Sequence, residues 1–358
     1  MSAAVASAAV VVPVVAVVLA ARVDRATISA DVARRLDELK RTTRRPANVR
    51  EQVLLIGDSV LGVADGPSVA DETRRRISAD PRGRDVSTSV FWWPGLLVTS
   101  EWCLADDFLE FDADRVVLEV NLRSLGAGTA LAFGFPELAG RVRADRFVEG
   151  LSLPLSVSGI TAGQMLFDRA LVVTGLEDAW TRVVDAEARV YNLRDRADRA
   201  LDALLAVHSV DERRGAAFQD GLARFHVPGK LRERREHVAE TLWNVRLGVA
   251  PSYPPFRILG ALVRRFADAG KHPLVWAAPV NVDHYRSIGV DVSGFARSVE
   301  SMRAVVEENG GRLLDLHTTL RDAQLGDASD HATAHGPGAG TAALGAHLAQ
   351  GILDTEAR

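Results

Sequence analysis

The chain has 358 residues, of which 47% are hydrophobic and 25% are charged, so it can hold one large domain or two smaller ones with an ample core. A formal net charge of −4 gives no argument for a nucleic-acid partner. The single cysteine, Cys103, excludes an intramolecular disulfide and has no cysteine partner for a metal site. We expect Cys103 to pack as a small buried hydrophobic residue.

The first predicted element is an apolar segment at the N-terminus. Residues 2–21 contain no charged side chain and are mostly Ala and Val, which is long enough to span a bilayer as a helix. We expect residues 1–22 to form a membrane anchor. A secretory signal is the main alternative, because Leu19-Ala20-Ala21 offers small residues near a cleavage point, although no basic region precedes the segment. A packed or disordered helix of a soluble protein is the third option.

A polar connector, predicted to be helical, follows over residues 23–50, with Leu36 and Leu39 on one face. Four arginines come soon after the apolar segment, and by the positive-inside rule they argue for a cytoplasmic body: Arg22, Arg25, Arg34 and Arg35.

From residue 51 onward, short apolar runs alternate with helical patterns. The predicted strands are Val53–Ile56, Val86–Phe91, Arg115–Val120, Leu274–Ala278 and Arg312–Leu316. The predicted helices include Thr73–Ile77, Phe256–Ala269, Val292–Glu308 and Ala342–Ile352. This alternation predicts an α/β domain over residues 51–358 with a mostly parallel sheet.

The pattern changes between residues of about 130 and 250. Strand signals fade there, and long helical segments such as Leu176–Val207 dominate. We interpret this region as a helical insertion between the third and fourth strands. It either shapes a substrate groove, contacts a partner, or has only a structural role.

The motif Gly57-Asp58-Ser59 directly follows the first strand. Open α/β sheets bind ligands at the carboxyl ends of their strands, so Ser59 lies where a nucleophile would be placed. A helix that begins there would supply N–H donors for an anionic intermediate. Gly95 and Asn121 follow the next two strands and are candidate oxyanion donors, although Pro94-Gly95 also fits an ordinary turn and Asn121 a simple strand end.

A general base is expected late in the chain, where histidines and acids cluster before the last helix. The candidates are Asp327, Asp330, His331 and His335. A metal site is the alternative for this cluster, but the His-Glu-x-x-His pattern of zinc hydrolases is absent from the sequence.

Together, Gly57-Asp58-Ser59, Gly95, Asn121 and the Asp/His segment resemble the four motif blocks of SGNH (GDSL-type) hydrolases. The resemblance implies a flavodoxin-like α/β/α three-layer fold, with Ser59 as nucleophile and first oxyanion donor and with Gly95 and Asn121 as further donors. The N-terminal span and the insertion are similar to a membrane-tethered branch that includes teichoic-acid D-alanylation and alginate O-acetylation proteins. Pro279-Val280-Asn281 and Asp315 also resemble that branch.

Two motif blocks depart from the family pattern. The third block normally reads Gly-x-Asn-Asp, whereas here it is Glu119-Val120-Asn121-Leu122. In the last block the family has Asp three residues before the catalytic His, a spacing that this chain lacks. Loop register favours His335 as the base, since residues 335–340 run into the terminal helix, while His331 has Asp330 beside it.

These features predict a membrane-anchored serine esterase or O-acyltransferase that acts on a cell-envelope glycan or glycolipid, without cofactor or metal. By resemblance, the catalytic domain is expected on the extracytoplasmic side, with a membrane-bound acyltransferase as a partner. A non-catalytic envelope-assembly or glycan-binding protein of the same fold is the first alternative. A soluble esterase with a signal peptide is the second.

Overall fold

The computed structural model describes the sheet and the helices that pack on it. The described residues are 32, 34–41, 43, 45, 47–62, 66–125, 138, 141–143, 146–153, 251–287, 292–326, 331–334 and 338–355. The apolar N-terminal segment, most of the predicted insertion, and Asp327, Asp330 and His335 lie outside them. Within the described ranges, no helix combines the length and apolar character that a membrane crossing requires.

Five parallel strands form one sheet. They are β1 (Glu51–Gly57), β2 (Val86–Trp92), β3 (Arg115–Val120), β4 (Leu274–Ala277) and β5 (Arg312–Asp315). The order across the sheet is β2-β1-β3-β4-β5, and every neighbouring pair is parallel. This is the strand order of flavodoxin-like doubly wound sheets. The five strands predicted from the sequence are confirmed, with small shifts at their ends.

Helices cover both faces of the sheet. In chain order they are α1 (Ser59–Gly62), α2 (Val69–Ala79), α3 (Val98–Leu109), α4 (Phe147–Ser152), α5 (Pro254–Asp268), α6 (Val282–Ser287), α7 (Ser293–Glu308) and α8 (Gly340–Asp354). Helices α3, α5 and α7 pack on one face, and α2 and α8 pack on the other. The predicted α/β class with a parallel sheet is therefore confirmed, and the layers are those of a three-layer α/β fold.

Alternate residues of the central strands point into two separate cores. In β1, Ile56 joins the core under α3, α5 and α7, whereas Leu55 joins the core under α2 and α8. Both side chains are fully buried, as is Trp276 of β4. A strand that is buried on both faces has no polar alternation, which explains why β1 is read as a continuous apolar run.

Helix α3 is missing from the sequence prediction. Eleven of its twelve residues are buried, with only Leu109 outside that set. Five of the buried residues are polar or charged, so apolar residues at helical spacing do not mark the buried surface as they do in an amphipathic helix. Cys103 lies in this helix and is fully buried, which confirms the expectation that it packs as a hydrophobic residue.

Within the predicted connector, residues 34–41 form a helix, which we call the N-terminal helix. Leu36 is fully buried in the core that contains α3, and Leu39 packs against the same core. Lys40 Nζ lies 2.6 Å from Glu110 Oε2 at the end of α3. The connector is therefore docked on the sheet domain along this stretch.

Candidate active site

The turn between β1 and α1 holds Ser59 in place through a buried carboxyl group. Glu119 Oε2 of β3 accepts hydrogen bonds from the backbone N–H groups of Asp58 and Leu61, each at 3.1 Å. A Cβ at position 57 would lie only 2.3 Å from that same oxygen, so the site requires Gly57. Asp58 Oδ1 accepts from the N–H of Val60 at 2.7 Å and caps the short helix α1.

Ser59 and His331 form a hydrogen-bonded pair. His331 Nε2 lies 2.9 Å from Ser59 Oγ, although the two residues are 272 positions apart in the chain. The 2.9 Å distance between these two atoms is within the range that proton transfer from a nucleophile to its base requires. Which of the two ring nitrogens of His331 carries the proton depends on the tautomer. Ser59 is 8% exposed, so its hydroxyl is largely shielded from bulk water. The arrangement can activate a serine hydroxyl for attack.

Backbone hydrogen bonds around His331 fix its position. Leu325 and Ala332 form an antiparallel bridge, and the N–H of Gly326 donates to the carbonyl of His331 at 2.7 Å. The N–H of Thr333 donates to the carbonyl of Gln324 at 2.9 Å. A Cβ at Gly340 would lie 2.1 Å from that carbonyl oxygen, so the start of α8 packs directly against this segment.

The sequence favours His335 as the base, whereas the geometry of the described residues favours His331. His331 occupies the hydrogen-bonding position beside Ser59 because the Leu325–Ala332 bridge turns the chain back at this point. Loop register relative to α8, on which the preference rests, does not capture that bridge. His335, Asp327 and Asp330 lie outside the described residues, so their contacts remain predictions.

Gly95 and Asn121 lie at the same edge of the sheet as Ser59. The N–H of Leu96 donates to the carbonyl of Trp93 at 3.0 Å, and Gly95 has a φ of 74°. Pro94 followed by a residue of positive φ is typical of a type II turn, which favours glycine at this position. Asn121 directly follows β3 and is 4% exposed. Their roles as oxyanion donors stay predictions.

Two buried acids near the nucleophile are absent from the sequence-based site. Glu119 supports the turn, and its signal is a lone acid at the end of an otherwise aliphatic run in β3. Glu101 of α3 is fully buried, and neither of its carboxyl oxygens has a hydrogen-bond partner among the described residues. Burial raises the pKa of Glu101 well above its usual value, and the charge of Asp58 raises it further. Glu101 therefore keeps its proton at pH values where an exposed glutamate has already lost it.

Polar groups also meet beyond β4 and β5. Asn281 Nδ2 donates to Asp322 Oδ1 at 2.7 Å, and Asn281 Oδ1 accepts from the N–H of His284 at 3.1 Å. Asp315 Oδ1 lies 2.6 Å from His317 Nδ1. Burial raises the pKa of Asp315, but the hydrogen bond and charge of His317 outweigh it and leave that pKa below its usual value. Within the described residues, no cluster of three His, Cys, Asp or Glu side chains is arranged to hold a metal.

Comparison with known proteins adds little to this geometry. No protein-family model matches the sequence, and no curated protein matches it. Among solved structures, the chain is similar to a lipase, Lip_vut3, from a goat rumen metagenome. The two share 11% identity with a TM-score of 0.34, over 83% of this chain and 95% of the lipase. A similarity at this level carries no argument about function, so the function rests on the parallel α/β fold and its Ser59–His331 pair.

Proposed function

We propose that this chain is a serine esterase or O-acyltransferase of the SGNH type. The observation that carries the proposal is the 2.9 Å contact between Ser59 Oγ and His331 Nε2. The pair lies at the carboxyl edge of the sheet, where β1 and β3 run side by side and their connections leave in opposite directions. The flavodoxin-like strand order and the motif blocks at Ser59, Gly95 and Asn121 support the same assignment.

In the first half-reaction, Ser59 Oγ attacks the carbonyl carbon of an ester while His331 Nε2 accepts the hydroxyl proton. The negative charge that develops on the carbonyl oxygen is stabilised by the N–H groups of Ser59 and Gly95 and by the side-chain amide of Asn121. As the tetrahedral intermediate collapses, the C–O bond to the alcohol breaks. His331 gives its proton to the departing alkoxide, and the acyl group remains on Ser59.

In the second half-reaction, water or an acceptor hydroxyl attacks the acyl-enzyme. His331 again accepts the proton and returns it to Ser59 Oγ as the acyl C–O bond to Ser59 breaks. Water gives hydrolysis, whereas a sugar hydroxyl gives acyl transfer. Partial exclusion of water favours acyl transfer over hydrolysis. The low exposure of Ser59 is consistent with acyl transfer.

We propose Asp327 or Asp330 as the carboxylate that orients His331 and stabilises its charged form. Both lie in the short segment between Gly326 and His331. The hydrogen bond between the N–H of Gly326 and the carbonyl of His331 brings the ends of that segment together. Asp327 and Asp330 lie four residues and one residue before His331 in the sequence.

For the substrate, we propose an ester on a cell-envelope glycan or glycolipid. The support is the apolar segment at residues 2–21, which fits a membrane anchor, together with the motif resemblance to envelope-polymer acylation proteins. An extracytoplasmic catalytic domain and a membrane-bound acyl donor protein belong to the same proposal. Protease treatment of intact spheroplasts should then digest the domain, and protection until lysis would place it in the cytoplasm.

The test of the chemistry is hydrolysis of short-chain p-nitrophenyl esters by the full chain and by Ser59→Ala. We expect Ser59→Ala to lower kcat by about three orders of magnitude or more, because loss of a nucleophile removes the covalent route. Ser287→Ala is the matched control, since Ser287 is exposed at the end of α6. A wild-type chain that hydrolyses no ester would favour the glycan-binding alternative.

A further inference from the structure

The N-terminal helix reaches the carboxyl end of β2 through one arginine. The guanidinium carbon of Arg35 lies 5.1 Å from the ring centroid of Trp92 and 5.1 Å from that of Trp93. Arg35 Nη1 also donates to the carbonyl oxygen of Trp92 at 3.3 Å. Both ring distances are within the range of cation–π attraction. One side chain therefore contacts two successive indoles and the backbone between them.

The two tryptophans lie against opposite cores of the domain. Trp92 packs with the core under α2 and α8, whereas Trp93 packs with the core under α3. Among the described strands, β2 lies at the edge of the sheet. Arg35 lies across the end of this strand and contacts both indole rings, which pack on opposite faces of the sheet.

Both tryptophans also touch the nucleophile turn. A Cβ on Gly62, the last residue of α1, would lie 2.0 Å from the Trp92 ring, so the indole rests directly on the helix that begins with Ser59. The N–H of Trp93 donates to the carbonyl of Gly57 at 3.1 Å. The segment that follows, from Trp93 to Leu96, is the turn that carries Gly95.

We propose that Arg35 is a positioning residue for the oxyanion turn, which makes the N-terminal helix part of the catalytic unit. This inference rests on the proposed function. Through Trp92 and Trp93, Arg35 fixes where the Gly95 turn leaves β2 relative to Ser59. A donor that is displaced by a fraction of an ångström stabilises the developing oxyanion less, so Arg35 acts on kcat without touching the substrate.

An arginine suits this position better than a lysine. The planar guanidinium can face two rings and still direct an N–H to a carbonyl oxygen, whereas an ammonium group is a point charge that satisfies one partner well. Leu36, the next residue, is fully buried, so the helix that presents Arg35 is itself anchored in the core. The position of Arg35 relative to Trp92 and Trp93 is therefore fixed by the packing of its own helix.

The test compares Arg35→Gln and Arg35→Lys with Arg41→Gln in the full chain. Arg41 is exposed on the same helix and serves as the matched control. The readouts are kcat and KM for a p-nitrophenyl ester and the second-order rate of labelling by a fluorophosphonate, which also needs the oxyanion site. Acrylamide quenching of tryptophan fluorescence monitors the indoles, and circular dichroism monitors folding.

We expect Arg35→Gln to lower kcat and the labelling rate by about tenfold, with KM changed by less than about twofold and quenching increased. Arg35→Lys should restore part of the loss, and Arg41→Gln should match the wild type. Folded Arg35→Gln with an unchanged labelling rate would overturn the inference, as would a raised KM at constant kcat, which would make Arg35 a substrate contact. A wild-type chain that is neither labelled nor active would overturn the proposed function itself, and this role with it.

Discussion

The two halves of the candidate site are built in different ways. Ser59 lies in a turn whose support comes from its own residues and from the neighbouring strand β3, chiefly Glu119. His331 lies 272 residues away and is held by a backbone bridge between Leu325 and Ala332. A turn defined by a short motif is visible in the sequence, whereas a position defined by a bridge and by packing on α8 is not.

The largest expected effect separates the two histidines. His331→Gln should lower kcat by about three orders of magnitude, because it removes the group that accepts the Ser59 proton. His335→Gln should stay within about tenfold of the wild type. The measurement is steady-state ester hydrolysis over a pH range, with circular dichroism to confirm folding. A larger loss in His335→Gln than in His331→Gln would restore the loop-register assignment.

The support of the nucleophile turn is tested at Glu119. Glu119→Ala leaves the N–H groups of Asp58 and Leu61 without their buried acceptor, which costs about 1–3 kcal/mol for each unpaired group. We expect a matching fall in the free energy of unfolding and a loss of activity of about 10- to 100-fold. Glu119→Gln keeps an acceptor oxygen and should lose less of both. Equal stability of Glu119→Ala and the wild type in urea denaturation would show that the turn holds without this carboxyl group.

The support of the histidine segment is tested at Asn281. Asn281 links the start of α6 to Asp322, which begins the 3₁₀ turn Asp322–Gln324 just before the Leu325–Ala332 bridge. Asn281→Asp places two carboxylates about 2.7 Å apart and should lower kcat by about tenfold, because the two acidic groups repel each other where the amide donates a hydrogen bond. Asp283→Asn, an exposed neighbour, is the control. An Asn281→Asp chain with wild-type kcat at pH 7 would show that His331 is held without this link.

The smallest effect on activity is expected at Glu101, where the readout is stability against pH. The native pKa of Glu101 is raised above its unfolded value, so its native state binds a proton that the unfolded state has already released. As pH rises from the unfolded value toward the native one, the wild type should lose up to about 1.4 kcal/mol per pH unit relative to Glu101→Gln. Glu300→Gln, at an exposed position of α7, is the control. Identical pH slopes in wild type and Glu101→Gln would contradict a buried neutral acid.

Much of the fold could be predicted because the three central strands β1, β3 and β4 are buried on both faces. Arg115–Val120 matches β3 at both ends, and helices α5 and α7 carry clear apolar periodicity. Helix α3 could not be predicted because polar residues such as Glu101 and Asp106 are buried together with its apolar ones, so the sequence does not show which side faces the core. In the sequence, Arg35 is only one of several basic residues after the apolar segment, because its contacts with Trp92 and Trp93 depend on how the N-terminal helix docks.

The residues of the candidate site also differ in how well the sequence alone predicts them. Gly57, Asp58 and Ser59 follow a strand directly, so their place at the sheet edge follows from chain order alone. The choice between His331 and His335 depends on the Leu325–Ala332 bridge, which no local sequence pattern predicts. The sequence does not single out Glu101, because a lone acid in a helix usually faces solvent, whereas here it is fully buried and the charge of Asp58 acts on it.

The central claim is that Ser59 is a nucleophile activated by His331. The most direct measurement is peptide mapping by mass spectrometry of the full chain after reaction with a fluorophosphonate, in the wild type and in His331→Gln. We predict a single phosphonyl adduct on Ser59 in the wild type and at least about a hundredfold slower formation of that adduct in His331→Gln. An adduct on another residue, or equal rates in the two chains, would contradict it.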